Sequence, residues 1–193
     1  MVDLSHIEYV VISVMGPHAG ESEKEIFKRK IQDIHDVGLT FWLMKSHQAK
    51  PGMVQHLCLE ADAANTESYC VFVEASSKGG AIATKTASSA KNYSKDNLTW
   101  VALPQGLSPV TGKINGYAYA LVFDQLELVN HSIDLWSYAD FFNRKNPLKI
   151  IRGASTICAI KKDMSNHTGR IKSRYRRVIA VGKLHEPFCA YLR

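Results

Sequence analysis

Residues 8–44 read EYVVISVMGPHAGESEKEIFKRKIQDIHDVGLTFWLM, and this stretch decides the fold. Residues 8–14 (EYVVISV) are rich in β-branched side chains, which is typical of a buried strand. Residues 40–44 (TFWLM) predict a second strand of the same kind. Between them, two glycines and a proline in residues 16–20 interrupt regular structure and predict a loop.

A helix is predicted between these two strands. Ser22 stands three residues before Glu25, which is the pattern of a capping box at a helix start. Gly38 is the expected left-handed residue at the helix end. Apolar side chains recur at helical spacing on one face, at Phe27, Ile31 and Ile34. The polar face is assigned to Lys24, Lys28, Arg29 and Asp33.

The next elements repeat the alternation of helix and strand. Pro51 suits the first turn of a second helix, which runs through Val54, Leu57 and Cys58. Residues 69–74 (YCVFVE) predict a third strand. The order strand, helix, strand, helix, strand is typical of a parallel sheet with right-handed crossovers. We therefore predict a βαβαβ parallel part at the N-terminus.

The remainder of the chain predicts mostly short strands. Residues 98–103 and 117–129 are two of them, and a short helix is expected near residues 87–93. Apolar spacing predicts a further helix over residues 133–143, with side chains aligned at Leu135, Tyr138, Ala139 and Phe142. The C-terminal candidate strands are residues 148–152, 155–161, 177–184 and 188–192. Short strands separated by turns indicate antiparallel pairing.

The fold class is accordingly mixed α/β, with a parallel N-terminal part followed by an antiparallel, β-rich C-terminal part. A chain of 193 residues with 46% hydrophobic residues suits a single domain, here divided at residues 1–80 and 81–193. No signal peptide is apparent, and no apolar run approaches the roughly 20 residues of a membrane helix. We expect a cytoplasmic protein without a membrane partner.

The four cysteines do not form a recognisable motif. Cys58, Cys70, Cys158 and Cys189 lack the short spacing of zinc sites or redox motifs, and each lies among apolar residues. Buried, reduced thiols are therefore expected, and no metal site is predicted.

Positive charge is concentrated in the last fifty residues. Residues 144–193 hold 13 Lys and Arg against 2 acids, a net charge of +11, whereas residues 1–143 hold 11 against 16, a net charge of −5. The densest part is residues 170–177. If it is extended, alternate cations are about 7 Å apart on one face, a spacing comparable to that of phosphates on one nucleic-acid strand.

The leading hypothesis is therefore a DNA- or RNA-binding protein. Arginine and tyrosine can contact phosphates and stack on bases. The predicted nucleic-acid-binding residues are Arg170, Lys172, Arg174, Tyr175, Arg176 and Arg177. Two other interpretations of these cations compete with it: a charged edge strand that prevents aggregation, and a surface that binds an acidic protein. A homodimer is also compatible with the sequence.

The alternative hypothesis is an enzyme acting on a nucleotide or another small anion. In a parallel sheet, ligands bind beyond the carboxyl ends of the strands. Three such ends are predicted, and they would bring together an anion-binding set (Gly16, Gly20, Lys45 and Ser46) and candidate catalytic residues (His18, His47 and Glu74). Neither a P-loop nor a dinucleotide fingerprint is present, so no cofactor is predicted, and whether the protein is an enzyme stays open.

The run Phe41–Ser46 (FWLMKS) resembles the opening strand of EVE domains, which have PUA-like folds. The resemblance implies nucleic-acid binding, often through a pocket for a modified base. The match covers these six residues. His47 and Gln48 differ from the Glu-Pro that commonly follows in the family, so no site residue is transferred.

Overall fold

The computed structural model describes residues 3–16, 21–44, 49–75, 88–112, 118–144, 156–161 and 175–193. These residues form two helices and eleven strands. In chain order the elements are β1 (Tyr9–Met15), α1 (Glu23–Val37), β2 (Thr40–Met44), α2 (Pro51–Ala63), β3 (Ser68–Glu74), β4 (Ser88–Ser89), β5 (Asn92–Ser94), β6 (Val101–Ala102), β7 (Thr111–Gly112), β8 (Ala118–Asp134), β9 (Tyr138–Asp140), β10 (Thr156–Lys161) and β11 (Tyr175–Leu192). Neither helix is long and apolar enough to cross a membrane.

Nine of the strands form one mixed sheet. Its order is β2-β8-β11-β3-β1-β10-β9, and β5 and β6 extend it beside the end of β11. The pairing of β1 with β3 is parallel, and the other pairings of described strands are antiparallel. Strands β4 and β7 form a separate two-stranded sheet. The mixed α/β class predicted from the sequence is confirmed.

The N-terminal strands are arranged differently from a continuous parallel sheet. β1 and β3 pair in parallel along their whole length, from Tyr9 opposite Ser68 to Met15 opposite Glu74. β2 pairs antiparallel with β8, and β8 and β11 separate it from β3. The predicted parallel pairing therefore holds for β1 and β3, while β2 runs in the opposite direction.

Helix α1 begins and ends where the sequence predicts. The Ser22 hydroxyl accepts a hydrogen bond from the Glu25 backbone N–H, and the Glu25 carboxylate accepts one from the Ser22 backbone N–H at 2.7 Å. Gly38 has a φ of 84° and donates its N–H to the carbonyl of Ile34. Only glycine adopts this φ without strain, so Gly38 ends the helix.

The two helices cover one face of the sheet, which we call the helix face. The ring of Phe27 stacks on Trp42, with centroids 5.2 Å apart, and meets Phe72 edge-on at 5.0 Å. Phe27 and Phe72 are fully buried. Aromatic side chains from α1, β2 and β3 thus form the centre of this core.

The four cysteines join this core from four elements, α2, β3, β10 and β11. All are free and buried, so the expectation of buried reduced thiols is confirmed. Burial raises the pKa of Cys58 to about 12. Burial also raises the pKa values of the other three thiols, which keeps them protonated and unreactive.

The opposite face, which we call the far face, has its own apolar cluster. Strands β8 and β11 have 17 and 18 residues and contain shifts of register between Val178 and Ala180. The end of β8 packs on the far face, because Ile133, and Leu135 just after β8, belong to one cluster with Ile12 and Ile157. Tyr138 closes this cluster by donating its hydroxyl to the carbonyl of Ile7 at 2.8 Å.

Two predicted helices are absent from the described residues. β8 continues to Asp134, where a 3-10 turn over Leu135–Ser137 leads into β9, so the helix predicted over residues 133–143 is wrong. Strands β4 and β5 replace the short helix predicted near residues 87–93. The strands predicted at residues 177–184 and 188–192 are parts of β11, and residues 148–152 lie outside the described residues.

A buried polar cluster attaches residues 103–110 to α1. Asp33 accepts hydrogen bonds from the backbone N–H and hydroxyl of Ser108 and from the hydroxyl of Thr40, each at 2.7 Å. The Lys30 ammonium lies 3.3 Å from the Asp33 carboxylate, and both side chains are buried. The assignment of Asp33 to the polar face of α1 is therefore wrong.

Candidate nucleic-acid interface

The carboxyl ends of β1 and β3 lie at the same end of the sheet. We call this end, where the strands stop, the upper edge. Met15 lies opposite Glu74, and the N–H of Ala75 donates to the Met15 carbonyl at 2.9 Å. A Cβ atom at Gly16 would lie 3.8 Å from the Cβ of Ala75. The predicted loops after β1 and β3 therefore begin side by side.

Strand β11 begins at the same edge. Its first residues pair with the end of β8, with Tyr175 opposite Asp134 and Arg177 opposite Ser132. The Arg177 Nη1 lies 3.9 Å from the Glu74 Oε2. Tyr175 is 59% exposed, and 57% of the Arg177 side chain is exposed. The described part of the basic segment thus begins beside Glu74, at the end of β3.

The basic residues at this edge point to two different faces. Residues directly opposite each other in neighbouring strands share a face of the sheet. Arg176 lies opposite Ile133, which belongs to the far-face cluster, so Arg176 is on the far face. Tyr175 and Arg177 alternate with it and lie on the helix face.

Arg176 differs from its neighbour in its contacts. Its Nε is buried and has no hydrogen-bond partner. No ion pair or ring contact is found for its guanidinium in the described part of the chain. The unsatisfied donor is thus Nε, while the residue as a whole is half-buried.

Strand β2 does not end at the upper edge. β2 runs antiparallel to β8, from Thr40 opposite Phe123 to Met44 opposite Tyr119. Its carboxyl end therefore lies at the lower end of the sheet, near residues 118–119, whereas β1 and β3 end near residue 131 of β8. The expectation that β1, β2 and β3 all end at one edge therefore does not hold for β2, and the loop residues that follow it lie outside the described residues.

Several predicted site residues lie outside the described residues. These are His18, Gly20, Lys45, Ser46, His47, Arg170, Lys172 and Arg174. Of the candidate catalytic residues, Glu74 is described, and Arg177 is the charged group placed beside it. No group of three His, Cys, Asp or Glu side chains within the described ranges could hold a metal ion.

Two aromatic contacts near the lower end of the sheet were not predicted from the sequence. The Arg193 guanidinium lies over the Trp100 ring, 4.1 Å from its centroid. The ring of Tyr93 packs on the buried Phe41 at 5.1 Å. Both rings thus have partners within the protein, at the end of the sheet opposite to the basic residues of the upper edge.

Comparisons with known proteins gave no match among protein families, curated sequences or solved structures.

Proposed function

We propose that the protein binds nucleic acid through its basic C-terminal segment, with phosphates contacted at the upper edge. The observation that carries the proposal is the position of β11. Arg176 and Arg177 pair with β8, and the pairing of β11 with β3 begins at the next residue, Val178. The two cations therefore stand beside the ends of β1 and β3, where a phosphate backbone can approach them. Protection of an exposed edge is the competing explanation for the same two residues.

The composition of the upper edge supports the same function. Arg176, Arg177 and the exposed Tyr175 stand where β1 and β3 end, and Glu74 is the acid placed against Arg177. A phosphate backbone attracts arginine clusters, and an exposed tyrosine can stack on a base. Arg170, Lys172 and Arg174 immediately precede these residues in sequence and belong to the proposed interface.

The alternative of an enzyme acting on a small anion has less support. That hypothesis requires the loops after β1, β2 and β3 to surround one pocket. β2 ends at the opposite end of the sheet from β1 and β3, so the three strand ends do not meet as that hypothesis requires. Glu74 lies against Arg177 instead of a second carboxylate, so a paired-acid mechanism has no support.

The test is the salt dependence of binding to labelled single-stranded DNA, single-stranded RNA and duplex DNA, followed by fluorescence anisotropy. On duplex DNA each neutralised phosphate adds about 0.9 to the slope of log Kd against log salt concentration. We expect steep weakening between about 50 and 200 mM salt. Binding that survives high salt unchanged would contradict the proposal.

The matched variants change equal charge at opposite ends of the sheet. Arg177→Ala should reduce the salt slope by about one unit. Lys91→Ala, at an exposed lysine beside the end of β11, should leave the slope unchanged. If Arg174→Glu alters the oligomeric state in gel filtration and leaves binding unchanged, the segment is a dimerisation surface.

A further inference from the structure

The five arginines that the structure describes differ in what surrounds their charge. Arg29 pairs with Glu21 at 2.7 Å, and Arg177 lies 3.9 Å from Glu74. Arg144 and Arg193 lie over the rings of Phe141 and Trp100. Arg176 alone among these five has neither an acid nor a ring against its guanidinium, and its Nε is buried.

Such an arrangement is unfavourable for the free protein. A buried donor without an acceptor loses its hydrogen bonds to water and gains none in return. Unsatisfied buried polar groups are uncommon in folded proteins, and each requires an explanation. Packing can hold the side chain here, because Arg176 shares its face with Ile133 and Val178, which are both buried.

The buried Nε cannot itself reach a ligand, so an incoming anion would meet the two Nη groups of the half-buried Arg176. Charges interact more strongly where water is partly excluded, so an oxyanion gains more from Arg176 than from the exposed Arg177. The charge of Arg177 is also partly neutralised by Glu74. The planar guanidinium can donate two parallel hydrogen bonds to a phosphate, which the ammonium of lysine does not reproduce.

We propose that Arg176 is the selective phosphate contact of the interface, and that Arg177 supplies general attraction from the other face of β11. This inference rests on the nucleic-acid binding proposed above. Binding then depends on the guanidinium geometry at position 176 and on charge alone at position 177. The stability of the free protein is lowered by the same unsatisfied side chain.

The test compares two charge-conserving variants in the anisotropy assay. Arg176→Lys should weaken oligonucleotide binding about tenfold, equivalent to about 1.4 kcal/mol. Arg177→Lys, in the next position, should weaken binding clearly less than Arg176→Lys. Lys91→Arg, at the exposed lysine beside the end of β11, is the control outside the interface and should bind like the unmodified protein. Equal effects of Arg176→Lys and Arg177→Lys would overturn the inference and leave nucleic-acid binding intact. A protein that binds none of the three oligonucleotides would overturn both proposals.

A second measurement separates this role from a structural one. Arg176→Met keeps an unbranched side chain and removes the unsatisfied donor, so it should raise Tm by about 2–4 °C while weakening binding. A lower Tm would show that the guanidinium supports the fold, and would overturn the inference. Thermal unfolding followed by circular dichroism without nucleic acid gives the answer.

Discussion

At the scale of single residues, Asp33 shows how a charged group becomes part of the core. Burial raises its pKa, but hydrogen bonds from Ser108 and Thr40 and the charge of Lys30 outweigh that effect and lower the pKa. Burial lowers the pKa of Lys30, and this effect is larger than the opposing effect of the Asp33 charge. The Asp33 carboxylate therefore gives the buried Lys30 ammonium its counter-charge. It also accepts the hydrogen bonds that join Ser108 to α1.

We expect Asp33→Asn to destabilise the protein by about 3 kcal/mol, because it leaves Lys30 buried without a counter-charge. Urea unfolding at neutral pH measures the change. Asp36→Asn, at an exposed acid on the same helix, is the control and should stay within about 0.5 kcal/mol. Similar losses in both variants would mean that the cluster does not anchor the segment.

The same carboxylate predicts an acid dependence of stability. The pKa of Asp33 is lower in the folded state than in the unfolded state, so its stabilisation is complete above the ordinary value of about 3.9. It is lost as pH falls through the folded value. Urea midpoints at pH values on either side should therefore fall more steeply for the unmodified protein than for Asp33→Asn.

At the scale of elements, the pairing of β8 with β11 explains why the helix predicted over residues 133–143 is wrong. Leu135, Tyr138, Ala139 and Phe142 have helical spacing, yet long-range pairing extends β8 to Asp134. The Asp134 carboxylate then caps a 3-10 turn by accepting from the N–H of Trp136 at 3.1 Å. The spacing of side chains in one segment does not encode a pairing partner some forty residues away. The ends of α1, in contrast, were predictable, because a capping box and Gly38 act within the helix itself.

The contact between these strands depends on Gly182 in β11. A Cβ atom there would lie 2.7 Å from Cδ1 of the buried Phe123 in β8. We expect Gly182→Ala to cost about 1–3 kcal/mol through overpacking. Gly52→Ala has open space in α2 and should be neutral or stabilising, which makes it the control in urea unfolding. Equal stability of both variants would contradict the close packing.

At the scale of the whole molecule, the sequence identified the basic segment but not its neighbours. The placement of Arg177 beside Glu74 follows from β11 lying next to β3, a pairing of residues about one hundred positions apart. The direction of β2 also differs from the parallel arrangement expected for it, since the sequence carries no information on which strands β2 adjoins. The direction of a strand depends on tertiary pairing and not on its own residues.

The cysteines test the whole core at once. All four are buried and come from four elements, so a thiol reagent should label none of them rapidly in the native protein at pH 8. All four should react after unfolding in guanidinium chloride. Rapid labelling of a thiol under native conditions would show that the element carrying it opens without global unfolding.

The position of β11 also bears on how the chain reaches its fold. β11 is the last of the described strands in chain order and the link in the sheet between β2–β8 and β3–β1–β10–β9. Until β11 is synthesised, no backbone hydrogen bonds of the sheet join these two groups of strands. The unpaired backbone groups of β8 and β3 can then bind other strands incorrectly. Such distant pairing slows folding, so the nascent chain should depend on chaperones until residues 175–192 leave the ribosome.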